Sequence, residues 1–72
     1  MKKRRIKEVN LIRIHRQLQN LTQCDLGQKV GLDQSVISKI EKGLIKVSSE
    51  RRARIALALG LKESILFPNN EK

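Results

Sequence analysis

The stretch from Leu21 to Gly43, LTQCDLGQKVGLDQSVISKIEKG, restricts the fold of this chain more than any other part of its sequence. Thr22 and Asp25 have the spacing of a capping box, in which a hydroxyl and a carboxylate each accept a backbone N–H at a helix start. Gly31 permits the left-handed conformation that ends a helix, and Asp33 is suited to cap the next one. The stretch therefore predicts two short helices joined by a tight turn.

Apolar residues at helical spacing predict further helices on both sides of this pair. Asn20 is a candidate terminator of the first helix, because Asn tolerates the left-handed conformation better than most residues. The other predicted elements are a first helix over about 8–19, a third over 34–42, a fourth from an N-cap at Ser48 or Ser49 to Gly60, and one turn within 61–67, where Ile65, Leu66 and Phe67 would cover the core. A chain of 72 residues with this pattern is one all-α domain with a small core.

Three features of the predicted helices and loops need an explanation beyond periodicity. Gly27 costs its short helix up to about 1 kcal/mol relative to Ala, which predicts that the third helix crosses close to it. The segment Leu44 to Val47 is unusually apolar for a connection, and is either an exposed patch used in self-association or, as we prefer, a partly buried loop. Arg51, Arg52 and Arg54 lie away from the apolar stripe of the fourth helix and are predicted to form a solvated face.

Sixteen Lys and Arg against seven Asp and Glu give the chain a net charge of +9, which indicates a polyanionic partner. Nucleic acid and an anionic membrane surface are the candidates. One Phe and no Trp or Tyr make no stacking platform for single strands or RNA, so duplex DNA is favoured. Membrane binding is disfavoured because the apolar helix faces are committed to a core, and we find no signal sequence or membrane span.

The sequence also argues against catalysis. His15 and Cys24 are the only residues of their kinds, which excludes a disulfide framework and a Cys/His zinc cluster. No nucleophile and base have a recognisable spacing. We therefore expect no enzyme activity, cofactor or metal, and the lone thiol fits the reducing cytosol.

A set of residues along the chain resembles the helix-turn-helix domain of the Cro and lambda-repressor class, the XRE-like regulators. The residues that carry the resemblance are Leu21-Thr22-Gln23, Leu26, Gly31, Ile37-Ser38, Ile40-Glu41, Gly43, Ser48, Ile55-Ala56 and Leu59-Gly60. The resemblance covers about Ile12 to Phe67 and implies a compact bundle of five short helices, whose third helix enters the major groove. It divides the chain into a basic arm at 1–7, the domain at 8–67 and a tail at 68–72.

The resemblance assigns base contacts to the exposed face of the third helix. Gln34 corresponds to the family's base-reading Gln, whose amide forms a bidentate pair with adenine. Ser35, Ser38 and Lys39 occupy neighbouring base-facing positions. Lys39 would favour guanine O6 and N7, with a phosphate contact as the alternative.

Phosphate contacts are implied elsewhere on the same side of the domain. Gln23 matches a family position that binds a phosphate and braces Gln34, and Lys42 and Lys46 match positions that contact the DNA backbone. The basic arm at 1–7 is either a solvated terminus or a further phosphate or minor-groove contact.

Two further sets of residues are assigned to structure and assembly. Arg16 and Glu41 match a pair that forms an ion pair between the first and third helices in many family members. Leu57 stands at a normally charged position, so it could form a dimer surface with Leu61 and Ile65. Arg52 stands where the family usually has an apolar residue, which predicts altered packing of the fourth helix.

These features predict a sequence-specific, double-stranded DNA-binding transcriptional regulator of phage, plasmid or bacterial origin. We expect a cytoplasmic, nucleoid-associated homodimer on a pseudo-palindromic operator, with recognition helices about 34 Å apart. Repression by occlusion of a promoter is favoured over activation. The alternative is an antitoxin or a restriction-modification controller whose main partner is another protein.

Overall fold

A computed structural model describes residues 10–68, which contain five α-helices and no strand. The helices are α1 at Ile12–Leu18, α2 at Gln23–Val30, α3 at Gln34–Glu41, α4 at Ser49–Leu59 and α5 at Glu63–Leu66. The prediction of an all-α bundle of five short helices is confirmed. The predicted arm at 1–7 lies outside the described residues, and so does the predicted tail at 68–72 except for Pro68. None of the helices in 10–68 is long and apolar enough to cross a membrane.

Local side-chain bonds start α2, as the sequence predicts. The Thr22 hydroxyl accepts the Asp25 N–H at 2.9 Å, and the Asp25 carboxylate accepts the Thr22 N–H at 2.9 Å. These bonds lower the pKa of Asp25, the largest contribution coming from the Thr22 backbone N–H and the next from its hydroxyl. The capping box therefore favours an ionised carboxylate at the positive end of the helix dipole.

The N-caps predicted for α3 and α4 are confirmed. The Asp33 carboxylate accepts the Ser35 N–H at 3.0 Å, and the Ser48 hydroxyl accepts the Arg51 N–H at 3.2 Å. Ser48 rather than Ser49 is therefore the cap of α4. Both residues have the extended backbone that an N-cap requires, so each helix start is set by its own sequence.

The first four helices end in the same way, with a left-handed residue directly after the last turn. The left-handed residues are Asn20 at φ 59°, Gly31 at φ 74°, Gly43 at φ 74° and Gly60 at φ 71°. In each case the following residue donates its N–H to a carbonyl five residues back, as from Leu44 to Lys39 at 3.0 Å. This Schellman motif satisfies carbonyls that the helix itself leaves unpaired.

α1 begins at Ile12, four residues later than the predicted start at Glu8. The Asn10 side chain accepts the Ile12 N–H at 3.2 Å and donates to the Ile40 carbonyl at 2.8 Å. The Leu11 N–H donates to the Leu66 carbonyl at 2.8 Å. Because these bonds to α3 and α5 replace helical ones, the first turn predicted from local periodicity does not form at 10–11.

The core lies where α2 packs against α3 and α4, and α4 packs against α5. Its buried members are Ile12, Leu26, Val30, Ile37, Ile40, Val47, Ile55, Ala56, Leu59, Leu66 and Phe67. Leu66 and Phe67 cover the core as predicted. Ile65 does not, since it is 41% exposed. In a helix of four residues, α5, only one side faces the core, and Leu66 occupies it.

The steric reason for Gly27 differs from the predicted one. A Cβ atom at this position would overlap the carbonyl oxygen of Leu32, whereas the nearest atom of α3, Ile37 Cγ1, would be in ordinary contact at 3.6 Å. The Leu32 N–H donates to the Gly27 carbonyl at 2.9 Å, which brings the turn back over the helix. The turn between α2 and α3, rather than α3 itself, therefore requires the glycine.

The segment Leu44 to Val47 is divided between core and solvent. Val47 is buried and Ile45 is half-buried, so partial burial is correct for them, whereas Leu44 is 60% exposed. The solvated face predicted for α4 holds for Arg51 and Arg54 and is wrong for Arg52, which is half-buried. Arg52 donates to the Val47 carbonyl at 2.7 Å, a contact that helical periodicity does not reveal.

Candidate nucleic-acid interface

The outer face of α3 is polar and basic. Helical geometry places positions 34, 35, 38, 39 and 42 on one side, opposite the buried Ile37 and Ile40. Gln34, Ser35 and Lys39 are exposed, and Ser38 is half-buried. The structure therefore brings the four residues predicted to contact bases to one face, with Ser38 at its edge.

The Ser35 hydroxyl is hydrogen-bonded within the protein, which the sequence did not indicate. Its hydroxyl lies 2.7 Å from the Asp33 carboxylate. An ionised carboxylate only accepts hydrogen bonds, so the hydroxyl must be the donor. This bond, followed by that from the Ser35 backbone, lowers the pKa of Asp33. While its proton is donated to Asp33, Ser35 presents oxygen lone pairs to solvent and can accept a hydrogen bond there.

An ion pair between α1 and α3 lies behind this face. Arg16 Nε is 2.6 Å and Nη2 is 3.2 Å from the two Glu41 carboxylate oxygens, a bidentate arrangement. The side chains are 9% and 3% exposed. Arg16 Nη1 also donates to the Leu21 carbonyl at 2.8 Å, at the entry to α2. The guanidinium thus joins three helices around one buried charge pair.

Gln23 completes this network. Its amide donates to Glu41 Oε1 at 3.1 Å. The predicted bracing of Gln34 by Gln23 stays a prediction, because the bond to Glu41 uses one amide N–H and a Gln side chain has a second N–H and a carbonyl oxygen. In this structure Gln23 connects the start of α2 to the end of α3.

A cleft of about 280 Å³ opens beside the ion pair. It is lined by Arg13, Arg16, Gln17, Gln23, Ser38, Glu41 and Lys42. Gln23 and Lys42, both predicted to contact phosphates, thus share one cleft, whereas Lys46 does not line it. Arg13 and Gln17 were not predicted as site residues. Their separation of four residues on α1, flanking Arg16, is the only sequence signal that could have indicated them.

The Glu41 charge in this cleft is already paired with Arg16. Arg13 and Lys42 are exposed and add two positive charges, while Gln17 and Gln23 add amide donors. The cleft is therefore suited to an anion with several oxygen acceptors, such as a phosphodiester.

The predicted dimer residues differ in exposure. Leu57 is 82% exposed and Ile65 is 41% exposed, but Leu61 is half-buried and packs against the core. Ile14, Leu18 and Leu44 are the other large apolar side chains exposed within 10–68. The region therefore presents several apolar positions that a partner could cover.

Nothing in the described region resembles a metal centre. No group of three or more His, Cys, Asp or Glu residues within 10–68 could hold a metal ion. Cys24 is exposed, and His15 is half-buried.

Comparisons with known proteins agree with the helix-turn-helix formed by α2 and α3. A family model described as helix-turn-helix matches residues 12–66. An uncharacterized HTH-type transcriptional regulator of Methanocaldococcus jannaschii is 38% identical over 58 residues, which are 81% of this chain and 88% of that protein.

Solved structures give the same result. The restriction-modification controller protein C.AhdI from Aeromonas hydrophila superposes with a TM-score of 0.74 at 32% identity, covering 78% of this chain and 85% of that one. The clp gene regulator ClgR from C. glutamicum superposes with a TM-score of 0.70 at 28% identity, covering 74% and 69%.

Proposed function

The chain belongs to the helix-turn-helix family of DNA-binding transcriptional regulators, which is not an enzyme family. We propose that it recognises a specific duplex sequence with the outer face of α3. The observation that carries this proposal is the exposed polar face itself. Gln34, Ser35 and Lys39 stand on a helix whose other side is locked into the core and whose two ends are capped. A rigid helix of this kind can present side chains to base edges in a fixed register.

The chemistry of the three exposed side chains favours particular bases. The Gln34 amide pairs with adenine N6 and N7, and Lys39 donates to guanine O6 and N7. Ser35, as an acceptor, favours the amino groups of adenine N6 or cytosine N4 over the acceptors of guanine and thymine. Ser38 contributes at the edge of the face.

Phosphate contacts fall on the adjoining surfaces. Gln23 and Lys42 act from the cleft, where Arg13 adds a further cation. Lys46 acts from the exposed part of the loop after α3. These contacts orient α3 in the groove and carry no sequence information.

The protein acts as a homodimer that represses transcription by occluding a promoter. Two copies on a pseudo-palindromic operator place their α3 helices about 34 Å apart. The exposed Leu57 and Ile65 are the apolar positions that a second copy would cover, with Leu61 between them in sequence. The dimer functions in the cytoplasm, on the nucleoid.

A restriction-modification controller is the second candidate. The similarity to the controller C.AhdI over most of both chains favours this version of the regulator. An antitoxin is the remaining alternative. A stable complex with the product of a neighbouring gene, formed without DNA, would show that a protein is the main partner.

Selection from a random duplex library tests sequence reading. We expect one enriched motif, and for Gln34→Ala an affinity for that motif reduced by about 5- to 150-fold, the value of one bidentate base contact. Affinity for random duplex should hardly change. Gln28→Ala, an exposed Gln on α2, is the matched control. A library without an enriched motif, or equal effects of Gln34→Ala and Gln28→Ala, would refute the proposal.

The role of Lys39 is tested separately by salt dependence. A base contact predicts that Lys39→Ala changes the selected motif, whereas a phosphate contact predicts a salt slope reduced by about 0.9 with the motif retained. Lys62→Ala, an exposed Lys before α5, controls for the lost charge. A variant that changes neither property excludes Lys39 from the interface.

Sedimentation equilibrium tests the dimer. Leu57→Asp should yield monomers that bind two half-sites without cooperativity, because it buries a carboxylate in the proposed interface. The control is Leu18→Asp. Leu18 is also highly exposed but lies on α1, outside the proposed interface, so this variant should remain a dimer. A wild-type protein that remains monomeric while it saturates the operator would refute dimerisation.

A further inference from the structure

Arg52 connects the loop after α3 to the end of the described chain. Its Nη1 donates to the carbonyl of Val47 at 2.7 Å, and its guanidinium carbon lies 5.8 Å from the centroid of the Phe67 ring. Val47 and Phe67 are both buried. The ring face stabilises a cation at this distance, so it holds the guanidinium over the loop.

The bond from Arg52 restrains the backbone of this loop. Within residues 10–68, the backbone of 45–47 makes one hydrogen bond, and its donor is Arg52. The loop begins after the left-handed Gly43 and ends at the N-cap Ser48, both of which belong to neighbouring helices. Without the Arg52 bond, the course of the loop between these two points would depend only on the burial of Val47 and Ile45.

Stability alone does not account for a guanidinium here. The Arg52 Nε is buried and has no hydrogen-bond partner within the described residues. A buried unpaired N–H is unfavourable, and an apolar side chain of similar volume could pack on Phe67 without it. What an apolar side chain would lack is a donor aimed at the Val47 carbonyl.

Lys46 is the exposed residue directly before Val47. We propose that Arg52 is a positioning residue for DNA binding, which fixes the Val47 carbonyl and thereby sets where Lys46 meets the DNA backbone. This inference rests on the phosphate contact proposed above for Lys46. Phe67 contributes to the same positioning, because its ring orients the Arg52 guanidinium.

Lys46→Ala measured in different backgrounds tests the inference. One phosphate contact fewer should reduce the ratio of Kd at 200 mM salt to Kd at 50 mM salt by about 3.5-fold, from a slope change of about 0.9. We expect this reduction in the wild-type protein, and less than about 1.5-fold in Arg52→Met, where the loop has lost its restraint. Arg51→Met removes the same charge from an exposed neighbour on α4 and should retain the full reduction.

The conservative variant Arg52→Lys supplies the rescue. Its ammonium can donate to the Val47 carbonyl, so Lys46→Ala should again reduce the Kd ratio by about 3.5-fold. If Arg52→Met does not fold, Arg52→Gln replaces it. The Gln side chain is shorter than Arg, so its amide should not reach the Val47 carbonyl. Arg51→Gln is then the control.

Two results would overturn the inference. One is an equal effect of Lys46→Ala in the wild type and in the Arg52→Met or Arg52→Gln background, even if the melting temperature falls, because that pattern describes a purely structural residue. The other is a Lys46→Ala variant that binds like wild type. In both cases the motif selected through Gln34 is measured independently, so sequence reading can stand while the role of Arg52 fails.

Discussion

Removal of the Arg16 guanidinium should cost the domain a large part of its stability. The pair it forms with Glu41 is bidentate, with a shortest distance of 2.6 Å and side chains 9% and 3% exposed. Arg16→Met leaves a buried carboxylate whose remaining side-chain donor is Gln23. Breaking a buried pair on one side costs about 3 to 5 kcal/mol. A 72-residue domain has a total stability of about 4 to 11 kcal/mol.

Urea unfolding followed by far-UV circular dichroism measures this loss. With a slope near 1 kcal/mol/M, as is usual for a small domain, the midpoint of Arg16→Met should fall by about 3 M or more. Replacing both partners, in Arg16→Met with Glu41→Leu, should recover most of the loss, because no charge then remains buried.

The same substitution at an exposed pair is the control. Arg54 and Glu50 form an ion pair one turn apart at 3.2 Å, with side chains 53% and 79% exposed. Arg54→Met should change the free energy of unfolding by less than about 0.5 kcal/mol. If Arg16→Met destabilises the domain no more than Arg54→Met does, burial does not govern the strength of this pair and the reasoning is wrong.

Three further predictions concern the turn after α2, the helix caps and one base contact. Gly27→Ala should lower the free energy of unfolding by about 1 to 2 kcal/mol although Ala favours helix, because its Cβ meets the Leu32 carbonyl; a stabilised variant in urea would contradict this. Since cap bonds lower the pKa of Asp25 and Asp33, their stabilisation is present at neutral pH and is lost as the pH falls below the ordinary value of 3.8. The urea midpoint should then be constant from pH 7 to 5 and decrease below pH 4. In the double variant Asp25→Asn with Asp33→Asn, this decrease should be less steep; an equally steep decrease in the wild type and the double variant would contradict the prediction. Ser35→Ala should remove the preference for an amino-bearing base at one operator position, whereas an unchanged selected motif would exclude that contact.

Features set by neighbouring residues could be predicted from the sequence. The capping box of Thr22 and Asp25, and the left-handed Gly31, involve groups within a few residues of each other. Their chemistry is the same in any fold, so helix number and most helix ends followed from the sequence. The outward face of α3 followed as well, since helical geometry alone separates Gln34 and Lys39 from the buried Ile37.

Features that depend on distant residues were missed or assigned wrongly. The late start of α1 requires Asn10 to meet Ile40, thirty residues away. The burial of Arg52 requires both the loop at Val47 and the ring of Phe67 to be in place. No local pattern contains this information. Arg16 and Glu41, which are far apart in sequence, were paired only through the resemblance to a known family.

The caps at Asp33 and Gly43 also bear on how new DNA specificities could arise. They lie outside the segment of α3 that carries the base-facing residues, and the inward side is held by Ile37 and Ile40. Gln34 and Lys39 can therefore be replaced by other residues without altering the length of α3 or its packing against the core. The residues on the outer face of α3 can thus vary independently of the fold, and libraries randomised at these positions should contain mostly folded proteins.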